Sequence, residues 1–148
     1  MQWEHTLEID ASPETVWAVT LDVDGLPQLS PTTMTWVERL DEGELRPGSR
    51  VRLKQPRQAA RIWQVTELDA PRRFVWEATL GPARMVATHL IEPLGDRGAG
   101  ARNTLRLELT GPTSAMVGRL LGRTFASVLA TENAGFKRVA EGPAKGAA

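Results

Sequence analysis

From Thr33 to Thr110 the apolar residues recur at every second position. Turn-forming residues interrupt this pattern at Asp41 to Gly48, Pro56 to Ala60, Asp69 to Arg72, Gly81 to Ala83 and Pro93 to Ala101. A period of two belongs to the β-strand, whose successive side chains point to opposite faces, so the segment reads as six short strands. Links this short imply antiparallel neighbours, because a parallel pair needs a long crossover connection. A sheet with one apolar face must be covered, and the sequence offers the cover. Pro112-Thr113-Ser114 starts a long helix to about Glu141. At about 100° per residue it collects Val117, Leu121, Thr124, Phe125, Val128, Glu132, Gly135, Phe136 and Val139 in one wide stripe.

The beginning of the chain adds a seventh strand. Gln2 to Asp10 alternates, with Trp3, His5, Leu7 and Ile9 on one face and Glu4, Thr6, Glu8 and Asp10 on the other. Ser12-Pro13-Glu14 then supplies an N-cap, a proline for the first helical position and an acid for the first turn, which predicts a short helix to about Leu21. Leu26 and Leu29 mark a second short helix within Asp24 to Ser30, ended by Pro31. The inward faces of the later strands are Val51, Leu53 and Gln55; Arg61, Trp63 and Val65; Phe74, Trp76, Ala78 and Leu80; Met85, Ala87, His89 and Ile91; and Leu105, Leu107 and Leu109. In the strand Thr33 to Leu40 either Trp36 or Val37 faces in. The expected class is α+β, a curved antiparallel seven-stranded sheet around a long C-terminal helix. Residues 1–141 form one domain, and residues 142–148 form a disordered tail with nothing to bury.

Charge and composition remove several function classes. Lys+Arg 18 balances Asp+Glu 18, so no global field draws in nucleic acid or an anionic bilayer. Without cysteine there is no disulfide, thiolate nucleophile or Cys-based zinc site. No HExxH spacing or phosphate-binding glycine loop occurs, and neither a metal nor an organic cofactor is expected. Gly95-Asp96-Arg97-Gly98-Ala99-Gly100 has the wrong spacing for dinucleotides and reads as a flexible hairpin loop. Met1 to His5 is no secretory signal, and the uncharged stretch Thr124 to Thr131 is too short to span a bilayer, so a cytoplasmic protein without membrane insertion is expected.

Several segments carry a family likeness: Ile9-Asp10-Ala11-Ser12-Pro13-Glu14-Thr15-Val16-Trp17, Gly48 to Pro56, Trp63-Gln64-Val65-Thr66, Arg73-Phe74-Val75-Trp76, His89-Leu90-Ile91-Glu92-Pro93, and Glu132-Asn133-Ala134-Gly135-Phe136-Lys137. Together with the element order, they make the chain resemble the helix-grip fold of the START-like (SRPBCC) superfamily, in its bacterial polyketide cyclase/dehydrase-like branch. The resemblance implies a cavity between sheet and long helix that takes an apolar small molecule, lipid-, polyketide- or quinone-like. Fold alone does not choose among the uses of such a cavity.

The candidate site is drawn from the inward-facing residues. With hairpins closed around their obvious turns, Trp76 falls opposite His89, Val65 opposite Trp76, and Leu107 beside His89. His89 is then either the polar anchor or general base for a ligand, or a core histidine satisfied by one partner. His5 shares an apolar face, but lies where the terminal helix is expected to pack. Gln55 and Arg61 face each other across one hairpin and suggest a polar rim, with Arg61 either clamping an acidic oxygen or covering Trp63 with its stem. Trp63 and Trp76 are cavity walls. Leu107, Thr124, Phe125, Val128 and Glu132 complete the ligand-binding set. Glu132 is either a proton donor to ligand or the partner of an arginine. Three functions follow: a binding module for an apolar molecule, a cyclase or dehydratase using His89 as base, and a protein-interaction module.

Overall fold

The sheet begins with β1 (Gln2–Ile9). Two helices follow, α1 (Pro13–Leu21) and α2 (Leu26–Leu29), joined by a single 3-10 turn at Val23–Gly25. Six strands come next: β2 (Trp36–Arg39), β3 (Arg50–Lys54), β4 (Arg61–Asp69), β5 (Arg73–Leu80), β6 (Ala83–Leu94) and β7 (Gly100–Thr110), before the long helix α3 (Ser114–Glu141). This computed structural model describes residues 1–95 and 99–142. The expected tail beyond Gly142 and the centre of the expected loop, Asp96 to Gly98, lie outside the described residues.

Among the described residues the seven strands make one antiparallel sheet in the order β1-β7-β6-β5-β4-β3-β2. Only β1 leaves sequence order, crossing to pair with β7 and leaving β2 at the other edge. The helix-grip arrangement expected from the sequence is therefore present. Its start is capped as the local chemistry requires: Ser12 Oγ accepts from the Thr15 amide at 3.2 Å, and Pro13 occupies the first turn of α1, where its missing N–H costs nothing.

One core runs along the inner face, from Ile9, Val16 and Leu29 through Val51, Val65 and Phe74 to Ile91, Leu105, Leu109 and Phe136. Burying such side chains contributes about 2 kcal/mol each, and alternation along the strands is what brings them to one face. In β2 it is Val37 that packs on the core, while Trp36 is 39% exposed.

Helix α3 packs mainly against β1 and β7, and on α1 and α2. Small residues permit this approach. Trp3 lies over Gly118 and Gly122, and its ring centroid is 5.0 Å from that of Phe125. At the other end, a methyl group on Gly135 would overlap the Leu29 carbonyl oxygen, which also accepts a 2.6 Å hydrogen bond from the Arg138 guanidinium. Beneath the helix, fully buried Asn133 accepts from Asn103 Nδ2 at 2.8 Å. Its own amide faces His5 Nδ1, the His5 carbonyl and the Asn103 carbonyl, each at 3.1 Å. This polar knot ties α3 to β1 and β7, and His5 belongs to it, consistent with a packing place under the helix.

Candidate functional site

Because α3 leans on β1 and β7, it leaves the inner faces of β3 to β6 incompletely covered. There a half-open cavity of about 90 Å³ remains. Its floor is Leu53, Trp63, Trp76, Met85, Ala87, His89, Leu105 and Leu107; its roof is Thr124, Phe125, Val128, Leu129 and Glu132 of α3; Leu26 and Met34 close one end, and Gln55 and Gln58 stand at another.

An aromatic chain holds the floor rigid. Trp63 and Trp76 have centroids 5.6 Å apart, Phe74 meets Trp76 edge-on at 5.1 Å, and His89 stands edge-on to Phe74 at 5.3 Å and to Phe136 at 5.5 Å. The neighbours of His89 differ from expectation. It lies opposite Phe74 and Leu105, whereas Trp76 and Leu107 both pair with Ala87. The two-residue link Gly81-Pro82 sets this register by pairing Leu80 with Ala83, and Gly81 takes the positive φ of 58° that such a link needs. Val65 does pair with Trp76.

Polar groups of this cavity are left without partners. Trp63 Nε1 and His89 Nδ1 are buried and have no hydrogen-bond partner among the described residues. Native proteins rarely leave such atoms unmet, since each costs about 1 to 3 kcal/mol. Among the described residues the Glu132 carboxyl has one hydrogen bond, from Thr33 Oγ1 at 3.3 Å. Burial lowers the His89 imidazole to about 4. It raises the Glu132 carboxyl to about 7 against the opposing effect of the Thr33 hydrogen bond. Both residues keep some accessible surface, and both line the cavity.

Of the residues expected from the sequence, Gln55, Trp63, Trp76, His89, Leu107, Thr124, Phe125, Val128 and Glu132 line the cavity together. Arg61 does not. Its Nε donates to the Thr79 carbonyl and its Nη1 to Gln58 Oε1, both at 2.9 Å, so it holds Gln58 at the rim. Among the described residues Glu132 pairs with no arginine. Leu53, Met85, Ala87 and Leu105 join from the inward faces, and Gln58, Leu26, Met34, Thr88, Arg106 and Leu129 were missed. Leu129 lies one residue round the helix from the expected stripe, and Gln58 sits in a turn where alternation carries no information.

A family model described as polyketide cyclase/dehydrase and lipid transport matches residues 2–141. The chain belongs to that family. No curated protein sequence matches it. Among solved structures, a START superfamily protein from Mycobacterium smegmatis is 22% identical, with a TM-score of 0.69 over 92% of this chain and 96% of that one. The Zhui aromatase/cyclase from Streptomyces sp. R1128 is 20% identical, with a TM-score of 0.69 over 100% and 99%. The di-domain aromatase/cyclase BexL from the BE-7585A biosynthetic pathway is 20% identical with a TM-score of 0.73; 96% of this chain is covered, but only 48% of that one, so the chain spans about half of the two-domain protein. At these identities the likeness speaks for fold. No described helix is long and apolar enough to cross a membrane.

Proposed function

We propose that this member of the family is a binding protein for a small, mostly apolar molecule carrying an oxygen acceptor, such as a ring with a phenol or carbonyl group. The observation that carries this reading is the pair of unmet polar atoms, Trp63 Nε1 and His89 Nδ1, on side chains that line a mostly apolar cavity. An indole N–H only donates, so the group that satisfies Trp63 must accept. The void is small beside the roughly 300–1,000 Å³ of drug-sized sites, so a single ring or short chain fills it and anything larger extends through the mouth.

Catalysis with His89 as general base is the weaker reading. Proton transfer is most efficient when the pKa of the catalytic group lies near the working pH, and burial holds this imidazole at about 4. At neutral pH it is a neutral hydrogen-bonding group. The family membership leaves substrate and product unnamed.

The test is a titration with 4-phenylbutan-1-ol, followed by the indole Nε1–H signals in two-dimensional NMR and assigned through Trp63→Phe. A saturable shift of the Trp63 signal is expected. It disappears in Ala87→Leu, whose added carbons enter the void between Trp76 and Leu107. A Trp63 signal indifferent to the alcohol, or equal shifts in a folded Ala87→Leu variant, would overturn the reading.

A further inference from the structure

Outside the roof of the cavity lies a second, wider cleft of about 380 Å³, formed by Thr32, Thr33, Arg123, Thr124, Ser127, Val128 and Thr131. The two spaces share a wall. Thr124 and Val128 line both, and Thr33 on the outer side makes the hydrogen bond to Glu132 on the inner side. The characters of the two spaces are opposed. The inner one is mostly indole and aliphatic carbon, with the Glu132 carboxyl on its roof and the guanidinium of its one lining arginine, Arg106, paired with Glu4; the outer one is hydroxyl groups around the guanidinium of Arg123.

Arg123 is exposed and makes no hydrogen bond or ion pair among the described residues. Along α3 no acidic residue stands between Ser114 and Thr131, so its charge is not cancelled on its own helix. The hydroxyls of Thr32, Ser127 and Thr131 surround the same cleft as ready donors. A guanidinium with neighbouring hydroxyls recognises a carboxylate, sulfonate or phosphate.

We propose that the ligand is an anionic amphiphile, with its apolar end in the inner cavity and its acidic group in the outer cleft on Arg123. This rests on the binding function proposed above and adds the class and direction of the ligand. Glu132 fixes the direction. An acid entering head-first would be carried towards another carboxyl group in an apolar enclosure, whereas tail-first entry leaves the charge outside beside a cation. The scale agrees. Arg123 and Val128 are about 7 to 8 Å apart along the helix axis and about 140° round it, and both line the outer cleft, so a linker passing over Thr124 and Ser127 joins them. The small inner volume is also accounted for, because only part of the molecule has to enter it.

Two ligands that differ at one end test the idea: 4-phenylbutyrate and 4-phenylbutan-1-ol, titrated at pH 7.5 with the Trp63 indole signal as the common readout. Wild-type protein should bind the carboxylate about tenfold more tightly, the scale of one partly exposed charge-assisted hydrogen bond. Arg123→Gln should abolish that preference and leave the affinity for the alcohol unchanged; the residue is exposed, so folding is not at risk. Equal affinities in wild type, or a preference that survives Arg123→Gln while both ligands still shift Trp63, would sink the amphiphile assignment and leave the binding function standing. Failure of both ligands to move the Trp63 signal would sink the two together.

Discussion

Glu132 and His89 are both buried beside the cavity, and their displaced pKa values carry opposite consequences for stability. A carboxyl group raised from 4.5 to about 7 on folding is one that the folded state prefers protonated. Its contribution is fully favourable below pH 4.5 and is lost as pH rises through 7. An imidazole lowered from 6.5 to about 4 is one that the folded state prefers neutral. Its contribution is intact above pH 6.5 and is lost as pH falls towards 4. Each displacement is worth about 3 kcal/mol in full, at about 1.36 kcal/mol per pH unit. Between pH 5 and pH 8 about 2 kcal/mol of each is expressed, because at pH 5 the unfolded carboxyl is already mostly ionised and the folded imidazole has hardly begun to protonate.

In the wild-type protein these two slopes oppose each other and largely cancel, so a pH scan of the intact chain conceals both. Single variants separate them. Urea unfolding of Glu132→Gln should show a stability gain over wild type that is about 2 kcal/mol larger at pH 8 than at pH 5, since glutamine keeps the acceptor for Thr33 but has no charge to bury. His89→Gln should show the reverse, with the relative gain larger at pH 5. Differences from wild type cancel the titration of every group the variants share. A Glu132→Gln curve that parallels wild type at both pH values would mean that the carboxyl is solvated and that the cavity is open to bulk water, and the reasoning about ligand direction would fall with it.

Two further substitutions probe how α3 is seated. Gly135→Ala forces a methyl group onto the Leu29 carbonyl, so α3 and α2 must separate; a loss of at least about 2 kcal/mol in urea unfolding is expected, where an ordinary helical Gly→Ala change would stabilise by up to about 1 kcal/mol. A stabilised variant would show that the helices do not touch there. Asn133→Leu leaves the buried Asn103 amide and the His5 carbonyl without their partner and should cost about 2 to 3 kcal/mol, read as a lower melting temperature; an unchanged value would mean that water replaces the lost contacts.

The faces of the strands were legible in the sequence, and their exact neighbours were not, for one reason. A period of two specifies which residues point inward, and a slip of two residues preserves that choice. His89 therefore lies on the inward face and lines the cavity, while its partners, Phe74 and Leu105, are displaced by two positions from those expected. Arg61 fell on the inward parity as well, but the bonds it makes to Gln58 and Thr79 are tertiary facts that parity does not encode. The buried knot at Asn133 was invisible because a polar residue on a helix reads as an exposed one until its partners, distant in sequence at His5 and Asn103, are known.

The stripe on α3 was read as the contact surface with the sheet, and its actual use is more informative. Leu129, Asn133 and Phe136 are buried, whereas Thr124 is exposed and Val128 and Glu132 remain part-accessible although they stand near the middle of the expected stripe. At about 100° per residue the buried row lies roughly 90° round the helix from the stripe's centre. The helix is thus seated on its flank, by Gly118 and Asn133 on one side and Gly135 on the other, and its most inward-facing row spans the void. Adjacent residues divide the work: Asn133 is saturated with hydrogen bonds that hold the helix down, while Glu132 faces the cavity with one long contact. A chain shaped by stability alone would favour an apolar residue at position 132 and partners for Trp63 and His89, since leaving polar atoms unmet beside an empty space lowers the stability of the fold. Arg39, Asn103 and Thr113 also keep unmet polar atoms away from the cavity, but Trp63 Nε1 and His89 Nδ1 are the two carried by side chains that line it, and there a ligand would recover the cost.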